Sequence, residues 1–167
     1  MALQAGDKAV DFTGVQDDGR TVSLDSFRDQ KLLLYFYPKD NTPGCTAEAC
    51  SLRDGYQAIQ AQGVAVVGVS PDSIASHQGF KAKYSLPFPL ISDADHTISM
   101  AYGAWGEKNL YGKKTIGMIR KSFLIDEQGV IMHVFGRVKT KEHAAQVLEK
   151  LGEGKSPEGR KEAGKGA

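Results

Sequence analysis

The chain has 167 residues, 41% hydrophobic and 25% charged, which fits one globular domain with a buried core and excludes a disordered or fibrous chain. Its 21 basic and 20 acidic residues leave a net charge of +1, without the basic excess of a nucleic-acid binder. The apolar-rich runs, such as 32–37 and 64–69, have only strand length, so no membrane-spanning segment is expected.

In chain order, residues 12–16 and 20–24 read as strands flanking Asp17-Asp18-Gly19, where Asp-Gly suits a tight hairpin turn. Residues 31–37 (KLLLYFY) form a continuous apolar run bounded by Gln30 and Pro38, the pattern of a strand buried on both faces. Thr42-Pro43 then opens a helix expected to run to about residue 62. Thr is a good N-cap, Pro at the first helical position lacks an N–H that would go unbonded, and Gly63 stops the helix. Residues 64–69 make a second buried strand, and Asp72 or Ser73 caps a helix reaching Tyr84. Pro87 and Pro89 keep the next segment extended, and a short helix is expected over 96–102. Residues 121–125 and 130–135 pair around Asp126-Glu127-Gln128-Gly129. A last helix, 141–151, lines Ala144, Val147, Leu148 and Leu151 on one face. This order predicts an α/β fold, a central mixed β-sheet flanked by helices, with an N-terminal β-hairpin. The domain is expected to cover residues 1–151. From 152 the sequence GEGKSPEGRKEAGKGA is rich in Gly and charge and reads as a flexible tail.

The stretch YPKDNTPGC leaves a buried strand and enters a helix, the place where open α/β sheets put their ligands. With Thr42 as cap, Cys45 is the third helical residue, its sulfur beside unpaired backbone N–H groups at the positive end of the helix dipole. Both favour the thiolate, which is the nucleophile. Gly44 leaves room beside the sulfur for a small substrate. A lone cysteine is more often a small buried hydrophobe, but a core cysteine needs none of this polar, Gly/Pro-marked entrance, so the reactive reading is preferred. Cys50 lies five positions on. On an ideal helix that separates the two Cα atoms by about 8 to 9 Å. A disulfide spans no more than about 7 Å. Either Cys50 packs inward, or the helix has two states, wound to bind substrate and unwound to join the thiols. Spacing alone leaves both open.

The run Pro38-x-x-x-Thr42-x-x-Cys45 resembles the active-site motif of the peroxiredoxins. The wider stretch YFYPKDNTPGCTAEACSLRD, with VVGVSPDS, FPLISDAD, YGAWGEK and GMIRKSFLIDEQG followed by HVF, is similar to the bacterioferritin-comigratory, or Q-type, subfamily over about residues 5–151. The resemblance implies a thioredoxin-like fold and a thiol-dependent peroxidase for hydrogen peroxide and organic hydroperoxides. It implies Cys45 as the peroxidatic cysteine, Thr42 as the hydroxyl that orients the peroxide, and Pro38 as the shield of the pocket. It further implies Arg120 as the active-site arginine and Cys50 as the resolving cysteine of an intrachain disulfide. Glu48 falls where the family places a carboxylate that holds the arginine, and Gly44 completes the substrate site. Attack by the thiolate spreads negative charge onto a leaving oxygen, which a fixed guanidinium and backbone N–H groups stabilise. The product is a sulfenic acid that condenses with a nearby thiol. No cofactor is implied. The expected partners are the peroxide and a thioredoxin-like dithiol reductant, with a monomer favoured over a weak dimer.

His77, His96, His133 and His143 show no metal-ligand spacing, so no metal site is expected. Asp93 and Asp95 read as a turn and cap, Trp105 as packing, and Lys113-Lys114 as a solvated loop. Two cysteines and no basic-then-apolar leader point to the cytoplasm, where a disulfide is transient and chemical. Two rival functions remain. A general thiol–disulfide oxidoreductase typically spaces its cysteines by two residues, whereas four intervene here. A non-catalytic redox sensor would use the same thiols without turnover.

Overall fold

In the computed structural model, which describes residues 2–153, the turn at Gly19 folds β1 (Thr13–Gln16) back on β2 (Thr21–Ser23). Gly19 takes φ 86°, an angle open to glycine because it has no Cβ. β3 (Lys31–Phe36) has no polar face to turn outward. Leu32, Leu34 and Phe36 enter one core, and Leu33 and Tyr35 enter the other. It runs parallel to β4 (Val64–Ser70), which is parallel to β5 (Leu90–Ser92). β5 also pairs with β1, so the N-terminal hairpin is one edge of the main sheet. A separate two-stranded ribbon, β6 (Trp105–Leu110) and β7 (Lys113–Met118), precedes the antiparallel pair β8 (Lys121–Ile125) and β9 (Ile131–Phe135). The main sheet is ordered β2-β1-β5-β4-β3-β8-β9.

The helices are α1 (Pro43–Asp54), α2 (Tyr56–Ala61), α3 (Ile74–Tyr84), α4 (Thr97–Ala101) and α5 (His143–Glu153). On the Leu33–Tyr35 side the core is completed by Cys45, Leu52, Ile59, Phe80, Val147 and Leu151, from α1, α2, α3 and α5. On the other side α4 supplies Ile98, beside Phe12, Tyr102 and Met118. Asp93 caps α4, taking the Ile98 and Ser99 N–H groups at 3.1 and 2.8 Å, in agreement with the turn-and-cap reading. No helix among the described residues is long and apolar enough to cross a membrane.

Three expectations need correction. The single helix over 42–62 is two helices, broken at Gly55, because α5 crosses there. A Cβ on Gly55 would lie 2.6 Å from the Ala144 Cβ. Lys113-Lys114 is not a loop but the start of β7. Tyr111 and Gly112, both at positive φ (53° and 79°), make the tight turn that closes the ribbon. Because most of β7 is exposed, it lacks the apolar alternation that marks a half-buried strand. The last helix starts at His143, after a short 3-10 turn over Thr140–Glu142, and continues past 151 to Glu153. The rest of the expected tail, 154–167, lies outside the described residues.

Candidate active site

Sheet register builds the site. β3 and β8 pair Tyr35 with Ser122 and Phe36 with Lys121. One step further, Arg120 stands level with Tyr37, where the chain leaves the sheet for α1. Cys45 is the third residue of that helix, as expected, and is 2% exposed. It is buried but not sealed in apolar surroundings. Arg120 Nη2 donates to its Sγ at 3.2 Å, while Nη1 donates to Glu48 Oε1 at 2.6 Å. A cation at that distance stabilises negative charge on the sulfur. Burial works against the charge on Arg120, but Glu48 and Cys45 outweigh it and hold the guanidinium in its cationic form.

Thr42 occupies the N-cap position with extended backbone, yet its side chain makes no cap bond. Its hydroxyl donates backwards, to the Lys39 carbonyl at 2.9 Å, while its own carbonyl accepts the first helical bond from Thr46 at 2.8 Å. With its hydrogen committed, Thr42 Oγ1 keeps lone pairs that can accept a bond from a peroxide hydroxyl. Gly44 has a use besides the one expected. A Cβ there would stand 3.1 Å from Arg120 Nη2, so the missing side chain makes room for the guanidinium. Pro38 is half-buried just after β3. Cys50 is half-buried further along α1, and both thiols are free. With the helix wound through both residues, they stand too far apart to bond.

The loop carrying Thr42 is held by a cluster that the sequence did not disclose. Asp40 is buried and accepts the Tyr37 hydroxyl at 2.6 Å, the Ser76 hydroxyl at 2.8 Å, and His77 Nδ1 at 2.8 Å. Its backbone N–H donates to Asp72 at 2.8 Å. Burial alone would raise the Asp40 carboxyl, but the bonds from His77 and Tyr37 hold it below its ordinary range. His77 Nε2 faces the Ile91 carbonyl at 2.9 Å, so both ring nitrogens meet oxygen partners. Asp40, Asp72 and His77 bring three ligand-type atoms within 4.8 Å of one another. Their bonds to protein donors make the cluster an anchor. Next to it Asn41 takes φ 62°, a left-handed angle that Asn tolerates, and turns the chain into α1.

A second cluster lies behind Arg120. Glu48 is fully buried, and burial pushes its carboxyl up to about 7 against the opposing pull of Arg120. Ser122 and His143, both fully buried, meet at 2.8 Å. Burial, then the charges of Glu48 and Cys45, push the Tyr35 hydroxyl well above its ordinary range. Ser122 was not singled out, although strand alternation could have found it, since it lies two residues after Arg120. His77 and His143 gave no signal, because the site residues they meet, Asp40 and Ser122, are remote in sequence.

Comparisons with known proteins agree with this geometry. The AhpC/TSA family model matches residues 5–134. The chain is 49% identical over 151 residues to a putative peroxiredoxin bcp of Coxiella burnetii, covering 90% of this chain and 100% of that protein. It is 46% identical to peroxiredoxin Bcp of Escherichia coli, over 90% of this chain and 97% of that one. Among solved structures, a PrxQ mutant of Xylella fastidiosa superposes with a TM-score of 0.84 at 34% identity, over 90% and 96% of the two chains. Peroxiredoxin Q of Xanthomonas campestris gives 0.80 at 36% identity, over 86% and 90%. The expected thioredoxin-like peroxiredoxin fold is thereby found, and the chain belongs to the AhpC/TSA family as a thiol-dependent peroxidase of the bacterioferritin-comigratory, peroxiredoxin Q type.

Proposed function

We propose that Cys45 is the sulfur that this peroxidase oxidises and that Cys50 resolves it within the same chain. The Cys45 thiolate attacks one peroxide oxygen and the O–O bond breaks. The leaving hydroxide or alkoxide takes up a proton, and Cys45 becomes a sulfenic acid. Arg120 faces both the sulfur and the charge that develops beyond it, and Thr42 accepts from the peroxide hydroxyl while Pro38 limits solvent. The first turns of α1 then unwind, the Cys50 thiolate attacks the Cys45 sulfur, and water leaves as the disulfide forms. An external dithiol protein of the thioredoxin type reopens the bond.

The observation that carries this reading is the Arg120 guanidinium divided between Cys45 Sγ at 3.2 Å and Glu48 Oε1 at 2.6 Å. The substrates are hydrogen peroxide and organic hydroperoxides. The second class is supported by the alkyl peroxide reduction activity of the Xanthomonas campestris bacterioferritin comigratory protein, a solved structure to which this chain is similar. The protein works as a monomer in the cytoplasm, where dithiol reductants are at hand. Substituting Cys45→Ser abolishes peroxide consumption with a thioredoxin-type reductant. Turnover retained in that variant would refute the assignment.

A further inference from the structure

The two ends of α1 are held differently. At its start the Thr42 side chain makes no cap bond, and no acidic residue stands in the first turn to offset the helix dipole. Two buried polar atoms of the first turns, Thr46 Oγ1 and Glu48 Oε2, meet no hydrogen-bond partner among the described residues. Such atoms favour any state that gives them a partner, and water supplies one when a turn opens. The side chains buried from this half are Cys45, Glu48 and Ala49, which carry little apolar surface.

The far end is tied down from two sides. Ala144, the second residue of α5, donates its N–H to Ser51 Oγ at 3.1 Å. The first N–H groups of a helix lack intrahelical acceptors, so Ser51 caps α5 from a neighbouring helix. Leu52 is fully buried in the core, and Arg53 Nη1 donates to the Tyr84 carbonyl, at the end of α3, at 2.8 Å. Behind them Gly55 admits Ala144 more closely than any Cβ would allow. Opening α1 from its start therefore costs least as far as Cys50. One residue further it uncaps α5, and the next step pulls a leucine out of the core.

We propose that Ser51 is a positioning residue of the resolving step: pinned to the start of α5, it stops the unwinding of α1 directly after Cys50, so that Cys50 keeps its place and Cys45 travels to it. The inference rests on the reading of Cys50 as the resolving thiol given above. Once unwound, the five residue steps from Cys45 to Cys50 can span about 16 to 18 Å, so the open segment has the reach without disturbing Ser51. Oxidation also removes the thiolate charge that Arg120 holds, which loosens the start of the helix. The S–S bond forms as the S–O bond of the sulfenic acid breaks, and the hydroxyl leaves as water with the proton that Cys50 gives up. A thiol held in place meets the incoming sulfur at a higher effective concentration than one on a fraying end.

Residue-resolved hydrogen exchange on the full chain, reduced and after one equivalent of hydrogen peroxide, tests this without any substitution. The informative amides are those bonded to Ser51 itself, Gly55 to its carbonyl at 3.0 Å and Ala144 to its hydroxyl. In the disulfide form the amides of residues 47–50 exchange at least about a hundredfold faster, while Gly55 and Ala144 stay within about threefold. Ser51→Ala removes the pin. It forms the disulfide about fivefold more slowly, the scale of a lost helix cap, and a larger share of Cys45 goes on to sulfinic acid at a fixed peroxide dose. The first oxidation of Cys45 stays within about twofold, and Ser51→Thr, which keeps the hydroxyl, stays within about twofold in both steps. A role confined to stability would lower the urea midpoint of Ser51→Ala and leave the partition between disulfide and sulfinic acid alone. That result, a resolving step in Ser51→Ala as fast as normal or faster, or lost protection at Gly55 and Ala144 in the unaltered disulfide form would overturn the proposal. Cys50→Ser separates the two readings. If it cycles with a thioredoxin-type reductant at the unaltered rate, the assignment of Cys50 fails. If it does not, and the unaltered protein joins Cys45 to Cys50 with Gly55 open to exchange, this inference alone fails.

Discussion

In front of Cys45, both Asp40 oxygens and Asp72 Oδ2 meet protein donors; behind it, Glu48 Oε2 and the Tyr35 hydroxyl meet none among the described residues. The front cluster ties the exit of β3 to α3 by bonds of 2.6 to 2.8 Å. A saturated network of this kind holds one geometry. The rear cluster has bonds as short but leaves two buried oxygens without a partner among the described residues, and its members stand far from their ordinary titration ranges, Glu48 at about 7 and His143 at about 4. The contrast assigns different work to the two sides. The loop bearing Pro38 and Thr42 is fixed, while the charge around Arg120 stays adjustable. With Asp40 anchored, the unwinding proposed to bring Cys45 to Cys50 would take place beyond the anchor, within α1.

The comparison can be broken at several points. The largest effect on rate is expected from Arg120→Met, which removes the cation from the sulfur. Peroxide kcat/KM falls about 10²- to 10³-fold, the scale of losing a preorganised charge-stabilising donor. The urea-unfolding midpoint is expected to change little, and a rate within threefold of normal would show that the rear cluster is not an electrostatic device. Asp40→Ala acts on the other side. It leaves His77 buried without its anionic partner and costs about 3 kcal/mol in urea unfolding. An unchanged midpoint would remove the claim that Asp40 is an anchor.

Glu48→Gln gives the smallest effect, and its sign depends on pH. The Glu48 carboxyl is raised from 4.5 to about 7 by burial, so the folded state holds that proton more tightly than the unfolded chain does. Its contribution to stability is fully present below 4.5 and is lost as pH rises through about 7. His143 is lowered from 6.5 to about 4, so its contribution is present above 6.5 and is lost as pH falls through about 4. Between 4.5 and 6.5 the two slopes oppose each other. Glu48→Gln removes one of them, so the variant gains on the unaltered protein as pH rises from 4.5 to about 7. A difference in melting temperature that stays flat with pH would contradict the buried, proton-holding carboxyl.

Much of this was legible in the sequence, and the exceptions have a common cause. KLLLYFY specified a strand buried on both faces because no position in it tolerates solvent. Thr42-Pro43 located the start of α1 and thereby put Cys45 at its third position. Apart from β7, whose exposure left no apolar pattern, what failed depends on contacts remote along the chain. Gly55 looks like any helical residue until α5 is laid across it. At Gly44 the close approach of Arg120, far off in sequence, had no local signal. Asp40, which meets His77, and Ser122, which meets His143, come from other elements, and no spacing rule reaches that far. Motif positions, set by short-range geometry, were legible; of the residues that support them Glu48 was named through the resemblance, while Asp40, His77 and His143 were not.

The account depends most on two sulfurs that are apart in the wound helix and joined after reaction. Intact mass and free-thiol counts on the reduced full chain, before and after one equivalent of hydrogen peroxide, test this directly. The account predicts that both thiols disappear and that the mass falls by two hydrogen atoms, while a Cys50→Ser variant instead gains one oxygen atom. An unaltered chain that gains oxygen with Cys50 still titrating as a free thiol, or that keeps both thiols, would contradict it.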